Sequence, residues 1–326
     1  MMKNMDLIFM IGLWYGSSVV CTNTAKQLQM EGWSSPHLTL AQLSISTICS
    51  YVALIVLKLR PYKVVGNSYE ERRLTCLLAL SFVLGFITLN SAFAMMHVSL
   101  VMVVRATEPL FTMGAASIFL ENEITNCRVF IATLPIVVGA GISALESGDA
   151  TLVGMVVVLS CNICFAARGV STKLLKEKYQ PDDFSLFFNI CAIGTLIQLF
   201  YIGSAGIIST FIGTSQSKEN LPLQLSLTSF INGFTFWMYL QLSWLVLGRV
   251  SAVSHSVLNS LRRPVICAFG FIRFGDNPTV MNIVGIIMAS GGALWYGHVK
   301  RTETEKIVSK VRAGAVGGSA GSRGDV

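Results

Sequence analysis

Four arginines stand where a chain has least use for a charge: Arg105, Arg168, Arg262 and Arg263 each fall inside a long apolar stretch. A guanidinium at the centre of a membrane span costs roughly 2.5–3.5 kcal/mol on insertion scales, so such a residue normally faces a bundle interior or an aqueous cavity. The guanidinium fork meets phosphate oxygens two at a time, which the point charge of a Lys does not. The chemistry these residues suit is anion binding. For Arg105 a plainer account stands beside it. Glu108 lies three residues on, close enough on one helix face for an internal salt bridge. Arg262 and Arg263 have no acid within helical reach, and adjacent helix residues point about 100° apart. The pair, unpaired on its own helix, therefore calls for an anion from outside the protein. Arg105 facing that pair completes a clamp for a divalent phosphate, and the Tyr239 hydroxyl can add a hydrogen bond, although Tyr239 also reads as one more membrane aromatic. Arg168 reads as a gate residue or a helix-end anchor, and Lys173 as a side chain that snorkels to the interface. His255 is a lone histidine, expected to be a hydrogen-bonded core residue rather than a proton carrier.

Other chemistries find no support. The chain has no HExxH, no P-loop, no DxD-type acidic pair and no Ser/His/Asp grouping, so neither an enzyme nor a metal or cofactor site is expected. Its eight cysteines lie singly in apolar stretches apart from Cys161 and Cys164, a CxxC inside a predicted helix that is read as packing.

The elements that must position the arginines are membrane helices. Of 326 residues 53% are hydrophobic and 13% charged, with mean hydropathy +0.63. A soluble domain carries roughly 25% charged residues, so half of that leaves too little charge to cover a water-facing surface. The net charge of +7 is not a nucleic-acid footprint, because it sits in loops and at the C-terminus. The expected fold class is all-α, with about ten transmembrane helices near 6–28, 37–59, 73–96, 98–120, 127–145, 151–172, 183–213, 223–247, 251–274 and 279–299. Residues 302–326, rich in Gly, Ala and Ser, are expected to form a disordered tail. About five residues precede the first apolar stretch, which is too long for a signal-peptide core and reads as a retained helix with no leader before it. Outside the spans, 17 Lys and Arg fall on the side holding both termini; three, Lys26, Lys218 and Arg273, fall opposite. Both termini are therefore expected in the cytoplasm.

Ten helices divide into halves of about 1–146 and 147–301, and weak internal likeness suggests duplication. Thr-Ala-Lys-Gln-Leu (24–28) near the end of helix 1 is echoed by Ser-Thr-Lys-Leu-Leu (171–175) in helix 6. Both fifth helices carry small residues, Gly139, Gly141, Ser143 and Ala144 against Ser290, Gly291, Gly292 and Ala293. An odd number of spans per half inverts the repeats, an arrangement that places a solute site at the bilayer midplane.

Two longer motifs carry a resemblance. Arg-Ala-Thr-Glu-Pro-Leu-Phe (105–111) resembles the Lys-Ala-x-Glu-Pro-Phe-Phe segment of the plastid phosphate translocators. Ser-His-Ser-Val-Leu-Asn-Ser-Leu-Arg-Arg (254–263) is similar to that family's Thr-His-x-Val-Gly-Asn-x-x-Lys-Arg. Trp14, Tyr15, Lys26, Asn162, Arg168, Lys173 and Tyr239 also fall on family-like positions. The resemblance implies the drug/metabolite transporter fold and strict exchange of phosphorylated compounds for inorganic phosphate. It places phosphate binding on Arg105, Arg262 and Arg263, with Tyr239 beside them, and brings Asn90, Lys26, Arg168 and His255 into the candidate set. Phe86 and Leu89 stand where the triose-phosphate members have His and Thr, which implies a less polar wall, and Pro264 after the arginine pair is a further departure. The partners implied are a small phosphorylated anion, inorganic phosphate and membrane lipid, with no nucleic acid. A nucleotide-sugar antiporter of the same superfamily and a proton-coupled transporter using Glu108 and His255 stand as alternatives. The membrane expected is the Golgi, the endoplasmic reticulum or the outer plastid envelope; oligomeric state is not legible.

Overall fold

The computed structural model describes residues 2–58, 62, 66, 68–119, 127–148, 150–212, 226–247, 249–250, 252–275 and 278–320. These residues are almost wholly helical, with no strand among them. The ten expected spans are α1 (Met2–Met30), α2 (Ser35–Tyr51) with a π-helical extension Val52–Val56, α3 (Tyr69–Met95), the pair α4 (Val98–Val104) and α5 (Glu108–Phe119), the pair α6 (Cys127–Ile131) and α7 (Leu134–Glu146), α8 (Leu152–Tyr179), α9 (Asp183–Ile212), α10 (Leu227–Leu247), α11 (Ala252–Phe274) and α12 (Val280–Ala320). Eight of these stretches are long and apolar enough to cross a membrane. Of the other two, α10 carries buried Asn232 and Gln241, and α11 carries His255, Arg262 and Arg263, which face the protein interior.

Local signals set the ends. Ser68 caps α3 by accepting from the Glu71 amide at 3.1 Å, and Thr151 caps α8 by accepting from the Gly154 amide at 3.1 Å. Two helices outrun expectation. The sixth span continues past 172 to Tyr179, closing on Gln180 in the left-handed conformation (φ 46°), because Lys173, Lys176 and Lys178 suit a helix C-terminus. The last helix runs to Ala320, so residues 302–320 are helical and not the disordered tail expected. Arg301–Glu305 at 2.6 Å, Lys306–Glu303 at 2.9 Å and Arg128–Glu303 at 3.5 Å tie that extension to itself and to α6. Residues 321–326 and Lys218 lie outside the described residues.

The packing repeats under exchange of the halves. Among the most extensive pairings, α3 lies on α8 and, in the equivalent place, α10 lies on α1. α2 packs on its counterpart α9, and α7 on its counterpart α12. This is the ten-helix, inverted-repeat arrangement, and it leaves a cavity along the interface of the halves. The α7–α12 seam brings backbone against backbone. A Cβ on Gly139 would meet Ala289 N at 2.6 Å, and one on Gly285 would meet Gly139 O at 2.7 Å. Of the small residues picked out in the sequence, Gly139, Ser143 and Gly292 sit in this seam, whereas Gly141 and Gly291 face open space.

Candidate anion-binding site

Helix 4 of the sequence reading is not one continuous helix. Pro109 has no amide hydrogen to close the turn back to Arg105, and the chain tightens into a 3₁₀ turn over Arg105–Thr107 between α4 and α5. The Arg105 carbonyl is thereby left open to a second donor, and Arg263 Nη1 takes it at 2.6 Å. Arg105 and Arg263 are held in one place by the turn and by Glu108. The carboxylate oxygen Oε2 accepts from Arg105 Nη2 at 2.9 Å and from Arg263 Nη2 at 3.1 Å. The salt bridge expected as the plainer account of Arg105 is therefore present. The expectation that Arg263 lacks an acid is corrected, because its acid comes from α5 and not from its own helix.

Arg262 is positioned differently. Its Nη1 donates to Ser18 Oγ at 2.8 Å, and its guanidinium carbon lies 5.6 Å from the Trp14 ring and 5.4 Å from the Tyr239 ring. Arg168 lies over the rings of Phe165 at 4.5 Å and Phe82 at 5.8 Å. Neither has an acidic partner among the described residues. Aromatic faces attract a cation without neutralising it, so both keep their full charge for a ligand. The buried Nε atoms of Arg105 and Arg262 have no hydrogen-bond partner either.

All four arginines, with Glu108, Tyr239 and His255, line one cavity of about 310 Å³. With Lys176 at the rim paired to Asp183, four guanidiniums less one carboxylate leave three positive charges in it. The cavity runs toward the ends of α8 and α10 on the side that carries both termini, where Lys176 and Trp244 form its rim. Beyond the arginines it narrows to a pocket of about 40 Å³ lined by Ser18, Cys21, Gln42, Asn90 and Phe93. The space is therefore wide on the side of the termini and narrow beyond the arginines.

The remaining candidates separate. His255 stacks on Trp14 (ring centroids 5.1 Å apart, interplanar angle 10°) and its Nε2 lies 3.1 Å from Ser243 Oγ, the bonded role expected for it. Asn90 borders the narrow pocket, but its amide nitrogen is committed to Thr39 Oγ1 at 2.9 Å and Gln42 Oε1 at 3.0 Å. Lys26 is not brought to the cavity: its Nζ donates to the carbonyls of Phe93 at 2.7 Å and Met96 at 3.0 Å, where it fastens α1 to the end of α3. Asn162 likewise donates to Val104 O and Thr107 Oγ1, bracing the 3₁₀ turn. Phe86 packs on Phe165 and Phe236 and walls the cavity, in keeping with a less polar side. Sequence reasoning missed Lys176, counted there only as a topology charge, and the bridging reach of Glu108. The family-like Trp14 and Tyr239 were the signals for the aromatic faces around Arg262.

Comparison with known proteins agrees with this geometry. Residues 5–297 match the model of the Triose-phosphate Transporter family. The chain is 28% identical over 299 residues to phosphoenolpyruvate/phosphate translocator 3, chloroplastic, of Oryza sativa subsp. japonica, covering 90% of this chain and 74% of that protein. It is 26% identical over 310 residues to the triose phosphate/phosphate translocator, non-green plastid, chloroplastic, of Brassica oleracea var. botrytis, covering 92% and 74%. A shorter match, 28% over 232 residues, joins it to the triose phosphate/phosphate translocator, chloroplastic, of Spinacia oleracea, covering 68% and 55%. With ten helices, an interior arginine cluster and a family match over nearly its whole length, this chain is a multi-pass membrane transporter, not an enzyme, and belongs to the Triose-phosphate Transporter family.

Proposed function

We propose that the chain is a strict antiporter that exchanges a small phosphorylated metabolite, of the size of triose phosphate, phosphoenolpyruvate or a sugar phosphate, for inorganic phosphate. The observation that carries this reading is the cavity with three uncompensated positive charges and two unpartnered guanidinium donors. A phosphate monoester brings two negative charges and several acceptor oxygens, and it fits forks of this geometry. At about 310 Å³ the cavity lies at the small end of the usual ligand range of roughly 300–1,000 Å³, which favours a compact solute over a nucleotide sugar. Glu108 serves as counter-ion to two arginines and His255 is stacked and bonded, so neither is set out as a proton carrier.

Exchange follows from electrostatics. Rocking of one repeat against the other must close one side of the cavity before the other side opens. Closing an empty cavity strips water from its charges, at several kcal/mol per ion. A bound dianion cancels most of that charge, so the loaded carrier crosses and the empty one waits. The 17-to-3 distribution of Lys and Arg supports both termini in the cytoplasm, in an endomembrane or plastid-envelope location.

The test is uptake of labelled phosphate by proteoliposomes preloaded in turn with phosphate, triose phosphate, phosphoenolpyruvate, hexose phosphate or a nucleotide sugar. Protease accessibility of the C-terminal tail reports orientation in the same vesicles. Uptake is expected only where an internal phosphorylated compound is present. Arg262→Ala, which leaves the Glu108 bridge in place, is expected to reduce exchange roughly tenfold to a hundredfold, the loss of a charge-assisted contact. Equal uptake into empty vesicles would sink strict antiport, and exchange of nucleotide sugar alone would move the protein to that other branch of the superfamily.

A further inference from the structure

Outside the arginine cavity, on the side of the termini, lies a shallower vestibule of about 500 Å³ between the end of α8, the start of α9 and the end of α10. Two residues line both spaces, Lys176 and Trp244, so they form the neck that any solute must pass. Lys176 Nζ lies 2.8 Å from Asp183 Oδ1 and 5.0 Å from the centre of the Trp244 ring. The other acid of the vestibule, Asp182, is already engaged: its Oδ2 accepts from the Ser185 amide and hydroxyl, both at 3.0 Å. Arg249 stands on the vestibule wall.

We propose that Lys176 is a staging site for the phosphoryl group, an ammonium that leaves Asp183 to meet the incoming dianion and returns to it when the solute has moved on to the arginines. This rests on the reading of the cavity as a phosphate site. Three features carry it. The Lys176–Asp183 pair is partly open to solvent, with the two side chains 35% and 39% exposed. A pair so exposed is weak, because solvent screens it, so an arriving anion can displace its carboxylate. A phosphoryl dianion carries twice the charge of that carboxylate and offers more acceptor oxygens. Trp244 holds the Lys176 cation over a ring face in the neck, which limits how far the ammonium swings. Asp183 then has a second effect. While Lys176 is paired to it, the neck is neutral; without Lys176 it presents an unpaired negative charge to an arriving anion.

A merely structural pair joining α8 to α9 makes a different forecast, because removing either partner breaks the same bond. Staging predicts that the two removals act in opposite directions, and on one face of the membrane only. The experiment uses proteoliposomes captured tail-out through a C-terminal affinity tag, with half-saturating phosphate measured separately for the outer and the luminal face. Lys176→Gln is expected to raise the half-saturating concentration at the tail face roughly tenfold, the low end of the effect of a charged cleft on local ion concentration. The half-saturating concentration at the luminal face stays as in the wild type. Asp183→Asn, which frees the ammonium, is expected to lower the tail-face value severalfold. Shifts in the same direction, equal shifts on both faces, or no shift would each overturn the proposal. Absence of phosphate exchange by the wild-type protein would instead overturn the reading of the cavity, and the staging site with it.

Discussion

A guanidinium in an apolar helix can be recognised from sequence because its cost is fixed by the bilayer, whatever the tertiary partners turn out to be. Arg105, Arg168, Arg262 and Arg263 were legible for that reason, and all four line one cavity. What they touch was not legible. Glu108 is three residues from Arg105 but 155 from Arg263, and only the packing of α11 on α4 reveals that one carboxylate serves both. Removing that carboxylate leaves two buried guanidiniums unneutralised and raises the cavity charge from three to four. Glu108→Gln is therefore expected to destabilise the protein by about 3–5 kcal/mol, as breaking a buried pair from one side does. Millimolar phosphate should restore more stability to this variant than to the wild type, since an added dianion replaces the missing charge. Thermal unfolding in detergent with and without phosphate measures both effects. A variant whose gain from phosphate is no larger than the wild type's would show that Glu108 does not stand in for the ligand.

At the scale of elements, apolar runs set the spans well: eight of the ten expected segments fall within four residues of the observed helices at both ends. The exceptions, α8 and α12, continue into water on charged side chains, and hydropathy does not see helices of that kind. The break at Arg105 was likewise hidden, although Pro109 was its visible cause. The small residues of α7 and α12 announced a close contact, but their spacing did not say which of them met. The geometry separates them. An Ala side chain at Gly139 would drive into the backbone of α12, which cannot rotate away as a side chain can, whereas at Gly141 it meets nothing within 4 Å. Gly139→Ala is expected to cost about 1–3 kcal/mol, the usual range for overpacking. Gly141→Ala should be neutral or stabilising by up to about 1 kcal/mol, since Ala favours a helix over Gly. Unfolding midpoints of the two variants compared side by side decide the matter; equal shifts would mean that the seam is not rigid.

For the whole molecule, the pairing of helices under exchange of halves is what two states related by that exchange require, and the interior is wide by the termini and narrow beyond the arginines. The barrier between the states is then governed by what the cavity holds when it closes. Empty, it holds three net positive charges; with a phosphate dianion, about one. Arg168 offers a way to test this, because aromatic rings hold it and no acid is left stranded by its removal. Arg168→Gln lowers the empty charge from three to two while Arg105, Arg262, Arg263 and Glu108 keep their contacts. Closing the empty cavity becomes cheaper by part of the several kcal/mol that one buried ion costs. Unidirectional efflux into buffer without counter-substrate is therefore expected to rise about tenfold or more relative to exchange. Exchange itself should weaken, since the loaded cavity loses a donor. The two rates, measured in the same vesicles, move in opposite directions if cavity charge is what forbids the empty carrier to cross. If both fall together, Arg168 acts only in binding, and the coupling of exchange must reside in the gates and not in the charge between them.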